Sequence, residues 1–172
     1  MYLLYLLRKT SQKYYFFFER VFESALFTQY FPQPGWVEHD ANEIWASQLG
    51  VAVEAMGKIG ATAEDIAAIG ITNQRETTIL WDKFTGEAVY PAIVWQSSQS
   101  QSICEEMISN GYQKLIQEKT GLIINPYFSA SKIKFIFDKK PELLEKAKLN
   151  VYKNYLISKK VILPETKHKK YS

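Results

Sequence analysis

Two adjacent residues of opposite charge, Arg75 and Glu76, are the side chains in this sequence best suited to bind a small polar ligand. Arg75 offers a planar fork of donors and Glu76 offers acceptors, so the pair can bind vicinal hydroxyl groups, which both donate and accept. Trp95 and Tyr127 could add apolar walls and a phenolic hydroxyl, a combination typical of polyol and sugar sites. Residue spacing leaves an alternative open: the charged pair belongs to a surface salt-bridge network, and the two aromatic residues belong to the core.

The position of Arg75 and Glu76 along the chain favours a ligand-facing edge. Residues 66–71 form a short apolar run that enters a polar stretch, and a second apolar run follows at residues 79–81. A short apolar run bounded by polar residues is typical of a buried strand. Because buried charges must be paired, two charged residues at the end of such a strand indicate a binding function there.

The elements around this edge follow from hydrophobic periodicity and capping residues. Apolar runs predict strands at residues 2–7 and 14–18, joined as a hairpin by a polar turn. Asp40 is the predicted N-cap of a helix, with Glu43 completing a capping box and Gly60 ending the helix. The predicted buried face of that helix consists of residues at helical spacing: Trp45, Leu49, Ala52 or Val53, and Met56.

The second half of the chain combines a hairpin with several helices. Residues 77–81 and 89–95 are predicted to pair, with Gly86 at positive φ in the connecting loop. Ser129 is the predicted cap of a helix that carries Ile136 on its apolar face. Strands first, then mixed strands and helices, indicate an α/β domain with a mixed β-sheet.

Composition excludes several classes of protein. The chain has 172 residues, 47% of them hydrophobic, which is enough for one domain with a core. A single cysteine, Cys104, excludes a disulfide within the chain and favours a reducing, cytoplasmic compartment. His39 and His168 are too few and too far apart for a metal site, and no P-loop, nucleophile triad or Gly-x-Gly-x-x-Gly motif is present.

The charge distribution and the apolar runs limit the kinds of partner that the chain is expected to have. The net charge is +3, with lysines concentrated near the C-terminus in a basic tail that is best interpreted as solvated, so we expect no nucleic-acid partner. The apolar run near the N-terminus is too short to cross a membrane, so we also expect no membrane span.

Five longer stretches strongly resemble the FGGY family of carbohydrate kinases, in particular its glycerol kinases. They extend over residues 27 to about 147, roughly the first third of such an enzyme. The matching stretches are residues 27–40, with the sequence FTQYFPQPGWVEHD; 42–45, NEIW; 69–78, IGITNQRETT; 92–96, AIVWQ; and 126–129, PYFS, followed by Lys132.

The resemblance implies a fold and an activity. The fold is the first domain of a two-domain kinase, ribonuclease H-like (actin-like ATPase), with a mixed β-sheet flanked by helices. The activity is the phosphorylation of glycerol to sn-glycerol 3-phosphate by ATP with Mg²⁺. The family's glycerol-binding positions correspond here to Arg75, Glu76, Trp95 and Tyr127.

The sequence departs from the family pattern at several places, including a segment after Glu19 that is several residues short. In the first hairpin the family has Asp-Gln-Gly-Thr-Thr-Ser-Ser-Arg, where this chain has residues 7–14, and only Thr10 and Ser11 keep hydroxyls that could face ATP phosphates. After Trp95-Gln96 the family usually has two arginines and a threonine, where this chain has Ser98, Gln99 and Ser100. The resemblance stops after about residue 148, before the family's catalytic aspartate and most of its adenine-binding surface.

These observations predict a truncated N-terminal kinase domain at residues 1–148 and a basic tail outside the family at residues 149–172. The chain is expected to keep the glycerol half-site, meaning the residues that bind glycerol, and to be inactive alone, with no catalytic residue of its own. The alternative is a non-catalytic binding or regulatory module derived from such a domain. Either hypothesis predicts exposed apolar surface and hence self-association or a partner that supplies the missing kinase half.

Overall fold

Two small antiparallel sheets organise the part of the chain that the computed structural model describes, which comprises residues 3–8, 27–82 and 84–143. Strand β1, Leu3–Arg8, pairs with β3, Ile66–Thr72, from Leu3 opposite Thr72 to Leu7 opposite Ala68, with an irregularity before Arg8. Strand β2, Glu38–His39, pairs with β4, Ala92–Ile93. The predicted strand at residues 14–18 and the predicted tail at residues 149–172 lie outside the described residues.

The predicted hairpin between residues 77–81 and 89–95 is present in reduced form. Thr78 and Ile93 exchange two backbone hydrogen bonds of 2.9 Å, and Trp81 pairs with Ala88. Pro91 interrupts continuous pairing because it has no N–H to donate. Strand β4 lies between the hairpin partner and β2, since Ile93 pairs with both Thr78 and Glu38. Gly86, in the connecting loop, has the predicted positive φ, +73°.

Four α-helices lie within the described part of the chain, between the strands or after them. They are α1, Ala41–Lys58; α2, Gln101–Ser109; α3, Tyr112–Thr120; and α4, Ser129–Lys139, with a 3₁₀ turn at Ala63–Asp65. No helix in the described ranges is both long enough and apolar enough to cross a membrane.

Helix α1 begins where the sequence predicted. Asp40 Oδ1 accepts hydrogen bonds from the N–H groups of Asn42, at 2.6 Å, and Glu43, at 3.1 Å, which confirms Asp40 as the N-cap. The Glu43 carboxylate, predicted to complete a capping box, instead accepts from the Thr28 N–H and the Tyr30 hydroxyl, so it fixes the preceding loop. These two hydrogen bonds lower the pKa of Glu43.

The predicted buried face of α1 is only partly correct. Ala41 and Ile44 in the first turn are buried, but Leu49 is 47% exposed and Val53 62% exposed. Helical periodicity identifies which side of a helix is apolar, but it does not show how many turns neighbouring elements cover. Trp45, Ala52 and Met56 are half-buried, so the predicted stripe is wrong at Leu49 and at the Val53 alternative, and it is only partly buried elsewhere.

The main core lies between the 78–93 hairpin and helices α2 and α4. Its buried members come from all three elements: Leu80, Ile93, Ile103, Phe135 and Ile136. The Phe135 ring makes edge-to-face contacts with Trp36, at 5.3 Å between centroids, and with Tyr90, at 6.2 Å. Because α4 is anchored in this core by Phe135 and Ile136, its first turn has a fixed position beside residues 74–77.

Candidate functional site

Arg75 and Glu76 lie in a tight turn immediately after β3. The Thr77 N–H donates to the Gln74 carbonyl at 3.3 Å, which places the charged pair at the centre of the turn. Glu76 has φ +57°, in the left-handed region that residues other than glycine rarely adopt, and Arg75 is exposed. Such a backbone conformation persists only where the surrounding structure holds it.

The Glu76 carboxylate is held at the N-terminus of α4. Its Oε2 accepts hydrogen bonds from the Ser129 N–H, at 3.0 Å, and from the Ser129 hydroxyl, at 2.8 Å. A negative charge here satisfies an otherwise unpaired helical N–H and interacts favourably with the helix dipole. The prediction that Ser129 caps α4 is wrong: Phe128 is the N-cap residue, and Glu76 supplies the acceptor from a distant segment.

Lys132, one turn into α4, connects the two halves of the site. Its side chain is fully buried, and Nζ donates to the Glu76 carbonyl, at 3.0 Å, and to the Tyr127 carbonyl. The same Nζ lies 6.0 Å from the centroid of the Tyr127 ring. Sequence reasoning included Lys132 in the matching motif but gave it no role. A lysine on the same helical face as Phe135 and Ile136 was the available signal.

The aromatic residues of the predicted site are in contact and partly accessible. The rings of Trp95 and Tyr127 lie 6.1 Å apart at 67°, and Tyr127 also contacts Phe128 at 5.2 Å. Trp95 is 42% exposed and Tyr127 is half-buried. The alternative that both residues are core is therefore not supported.

The alternative of a surface salt-bridge network is not supported either. The ion pairs found within the described ranges all join residues one helical turn apart: Glu54–Lys58, Lys114–Glu118 and Lys134–Asp138. None of them includes Arg75 or Glu76.

The three positions after Trp95-Gln96 at which the sequence departs from the family pattern have hydrogen-bond partners in the structure. Ser98 Oγ donates to the Gly35 carbonyl at 2.9 Å, Gln99 Nε2 donates to buried Glu38 at 2.7 Å, and the Ser100 and Ser131 hydroxyls lie 2.8 Å apart. The last contact joins the start of α2 to α4. These polar side chains therefore hydrogen-bond to other parts of the chain.

The predicted site residues thus fall into two groups. Glu76 and Tyr127 are joined through Lys132, Trp95 packs against Tyr127, and Arg75 shares the turn of Glu76. Thr10 and Ser11, predicted to face ATP phosphates, lie outside the described residues. Within the described ranges no three His, Cys, Asp or Glu side chains are grouped so that they could hold a metal ion.

Burial lowers the pKa of Lys132 from 10.5 to about 8, against the opposing effects of the nearby Glu76 and Cys104. Between these two pH values the unfolded chain holds a proton on Lys132 that the folded chain has released. The contribution of Lys132 to the free energy of unfolding therefore rises as the pH increases from about 8 to about 10.5.

We expect the thermal stability of the wild type, relative to that of Lys132→Met, to increase between pH 7 and pH 10. Taking the difference between the two proteins removes the effect of every group they share. Melting temperatures of both proteins at pH 7, 8.5 and 10 measure this difference in stability. Lys134→Met is the matched control, because Lys134 is an exposed residue of the same helix, bonded to Asp138. If the difference in melting temperature between wild type and Lys132→Met stays constant from pH 7 to pH 10, the lowered pKa of Lys132 is contradicted.

The charged turn contacts the N-terminus of α4, and Tyr127 of the preceding segment packs against Trp95. Comparison with known protein families identifies the class of protein to which this unit belongs. The model of the FGGY family of carbohydrate kinases, N-terminal domain, matches residues 21–164. The chain belongs to this family. The match extends beyond residue 148, and the domain boundary placed there stays a prediction.

The relatives of this chain within the family include glycerol kinases. The glycerol kinase of Bacillus licheniformis is 60% identical over 121 residues, which is 70% of this chain and 24% of the relative. That of Bacillus subtilis is 59% identical over the same length. A crystal structure of Plasmodium falciparum glycerol kinase with ADP matches with a TM-score of 0.66 and 38% identity, covering 71% of this chain and 24% of that one.

These comparisons confirm the predicted fold class, a partial ribonuclease H-like (actin-like ATPase) α/β domain. All the strand pairs that the structure describes are antiparallel, so they represent only part of the predicted mixed sheet. The chain spans about a quarter of the length of the relatives it matches, 24% in each case.

Proposed function

We propose that this chain carries the glycerol half-site of a glycerol kinase, formed by Arg75, Glu76, Trp95 and Tyr127. The observation that supports it most strongly is the shared anchoring of Glu76 and Tyr127 by Lys132, with Trp95 packed against Tyr127. The glycerol kinases among its relatives, up to 60% identical, support glycerol as the polyol.

Each of these side chains has a distinct part in binding glycerol. Arg75 donates to hydroxyl oxygens, and Glu76 accepts from hydroxyl hydrogens. The hydrogen bonds that other described residues make to the Glu76 carboxylate are both to Oε2, which leaves Oε1 for the ligand. The Trp95 ring covers the carbon chain of glycerol, and the Tyr127 hydroxyl provides one more polar contact.

Phosphorylation requires a second substrate in the same site. In the family's reaction ATP with Mg²⁺ supplies the phosphoryl group, and both substrates must be held together for its transfer. We assign no catalytic residue among these 172 residues, and Thr10 and Ser11 stay predictions. We propose that the chain alone binds glycerol without phosphorylating it, and that the reaction needs further kinase residues to complete the site.

Calorimetric titration with glycerol tests this proposal. We expect the wild type to bind with a Kd of about 1 mM or weaker, which corresponds to a binding free energy of about −4 kcal/mol or less negative. Arg75→Ala should weaken binding by at least about tenfold, because hydrogen bonds to a charged group are worth about 1.5–3 kcal/mol.

Lys119→Ala, which removes an exposed cation from α3, is the control and should leave the affinity unchanged. Equal affinities of wild type and Arg75→Ala would refute the site. Steady ATP-dependent phosphorylation of glycerol by the purified chain alone would refute the claim that it is incomplete.

The second candidate is a binding or regulatory module that pairs with another chain. It is favoured by exposed apolar side chains on separate parts of the surface, such as Phe31, Val53 and Ile123. Self-association, or binding of a chain that supplies the remaining kinase residues, would cover them. A cytoplasmic location, where ATP is present, belongs to the first proposal, in which the chain carries part of a glycerol kinase.

A further inference from the structure

We propose that Lys132 is a positioning residue that sets the distance between the two hydroxyl-binding segments by holding one backbone carbonyl of each. The first segment is the turn at residues 73–77, and the second is residues 125–128. This proposal deepens the glycerol half-site described above and rests on it. Lys132 itself does not touch the ligand.

Lys132 contacts the backbone of Glu76 and of Tyr127, one proposed glycerol-binding residue in each segment. Nζ donates to the carbonyl of Glu76, at 3.0 Å, and to the carbonyl of Tyr127. The two residues are far apart in sequence, and their side chains both face the proposed ligand. One buried ammonium group therefore fixes the distance between an acidic acceptor and a phenolic hydroxyl.

Each of the two anchored residues makes a second hydrogen-bonded contact, which is long-range for Glu76 and local for Tyr127. The Glu76 carboxylate is bound by Ser129, and the Tyr127 N–H donates to Asn125 Oδ1 at 2.8 Å. Glu76 has φ +57°, a conformation that needs such support. Glu76 is therefore held by α4 at both its carboxylate and its carbonyl, whereas Tyr127 is held by Lys132 at its carbonyl, in a turn that Asn125 stabilises from within.

A lysine at this position is costly, which argues for a specific use. The side chain is completely buried, and burial disfavours the ammonium form. No ion pair within the described ranges includes Lys132, so a direct carboxylate partner does not compensate. The lysine ammonium has three N–H donors at the end of a flexible side chain, so it can bind more than one carbonyl. Its hydrogen bonds are charge-assisted and therefore stronger than those of a neutral donor. A buried methionine would fill the same space but could not hold the carbonyls.

Hydrogen exchange and glycerol titration of the full chain test the role of Lys132 together. In Lys132→Met we expect faster amide exchange in peptides covering residues 73–78 and 125–130 at the same time, together with at least tenfold weaker glycerol binding. Ile103→Ala is the control for lost stability, since Ile103 lies in the main core on α2. Ile103→Ala should bind glycerol with an affinity within twofold of that of the wild type, measured under conditions in which both Ile103→Ala and Lys132→Met are folded.

The two readouts separate this proposal from the proposed function. If wild type fails to bind glycerol, the proposed function fails, but joint loosening of both segments in Lys132→Met still supports the positioning role. Faster exchange in only one segment, or in neither, overturns it whatever the affinity. If Lys132→Met does not fold, Lys132→Gln replaces it. Its shorter side chain keeps a donor but cannot reach both carbonyls, so the same two segments must exchange faster, and unchanged exchange overturns the proposal.

Discussion

Replacing Ile136 by alanine is expected to lower the free energy of unfolding by about 2–5 kcal/mol, the usual cost of this substitution in a packed core. Ile136 is completely buried on α4 and packs with residues of the 78–93 hairpin and of α2. Because a domain of this size is stable by only about 5–15 kcal/mol, the loss should be clear in urea unfolding followed by circular dichroism.

Ile108→Ala is the matched control, because Ile108 is an exposed isoleucine on α2 and the chemical change is the same. Its effect should be within about 0.5 kcal/mol of zero. If the two variants unfold at the same urea concentration, the position of the core between the hairpin, α2 and α4 is wrong.

Replacing Glu76 by alanine is expected to have a double effect. The N-terminus of α4 loses its acceptor, which should cost about 0.5–2 kcal/mol of stability, as for other lost helix caps. The ligand loses its carboxylate, which should weaken glycerol binding by about 10- to 150-fold, corresponding to about 1.5–3 kcal/mol. Thermal unfolding and calorimetric titration measure the two effects on the same samples.

Glu76→Gln separates the two effects because its amide oxygen can still accept from Ser129 while the negative charge is gone. We expect it to recover most of the stability but little of the affinity. A Glu76→Ala variant that binds glycerol as well as wild type would remove Glu76 from the site. Equal stability of Glu76→Ala and wild type would show that the contacts to Ser129 contribute nothing.

Local signals in the sequence predicted some of the local features correctly. Asp40 as an N-cap and Gly86 at positive φ depend on backbone chemistry within a few residues, which the sequence states directly. The apolar face of α4 was also predictable from its period, and Ile136 on it is buried. The identities of the proposed ligand-binding residues came from the family resemblance rather than from spacing.

Features that depend on distant contacts were missed. The acceptor at the start of α4 comes from Glu76, not from Ser129, and no local pattern indicates a cap supplied from another segment. Leu49 and Val53 have the spacing of a buried face, but coverage depends on neighbours that periodicity does not describe. A buried lysine is uncommon enough that composition rules place it at the surface, so the role of Lys132 required three-dimensional coordinates.

The contact between Glu76 and Ser129 has a consequence for the order of folding. It joins residues 53 positions apart in sequence, so its formation closes a long loop at an entropic cost that other contacts must offset, such as those between the 78–93 hairpin and α4. Contacts of this range slow folding and form only once the segments they join are in place. We infer that the turn at residues 73–77 reaches its left-handed conformation late, after α4 has docked. Assembly of the site and the final step of folding would then be the same event.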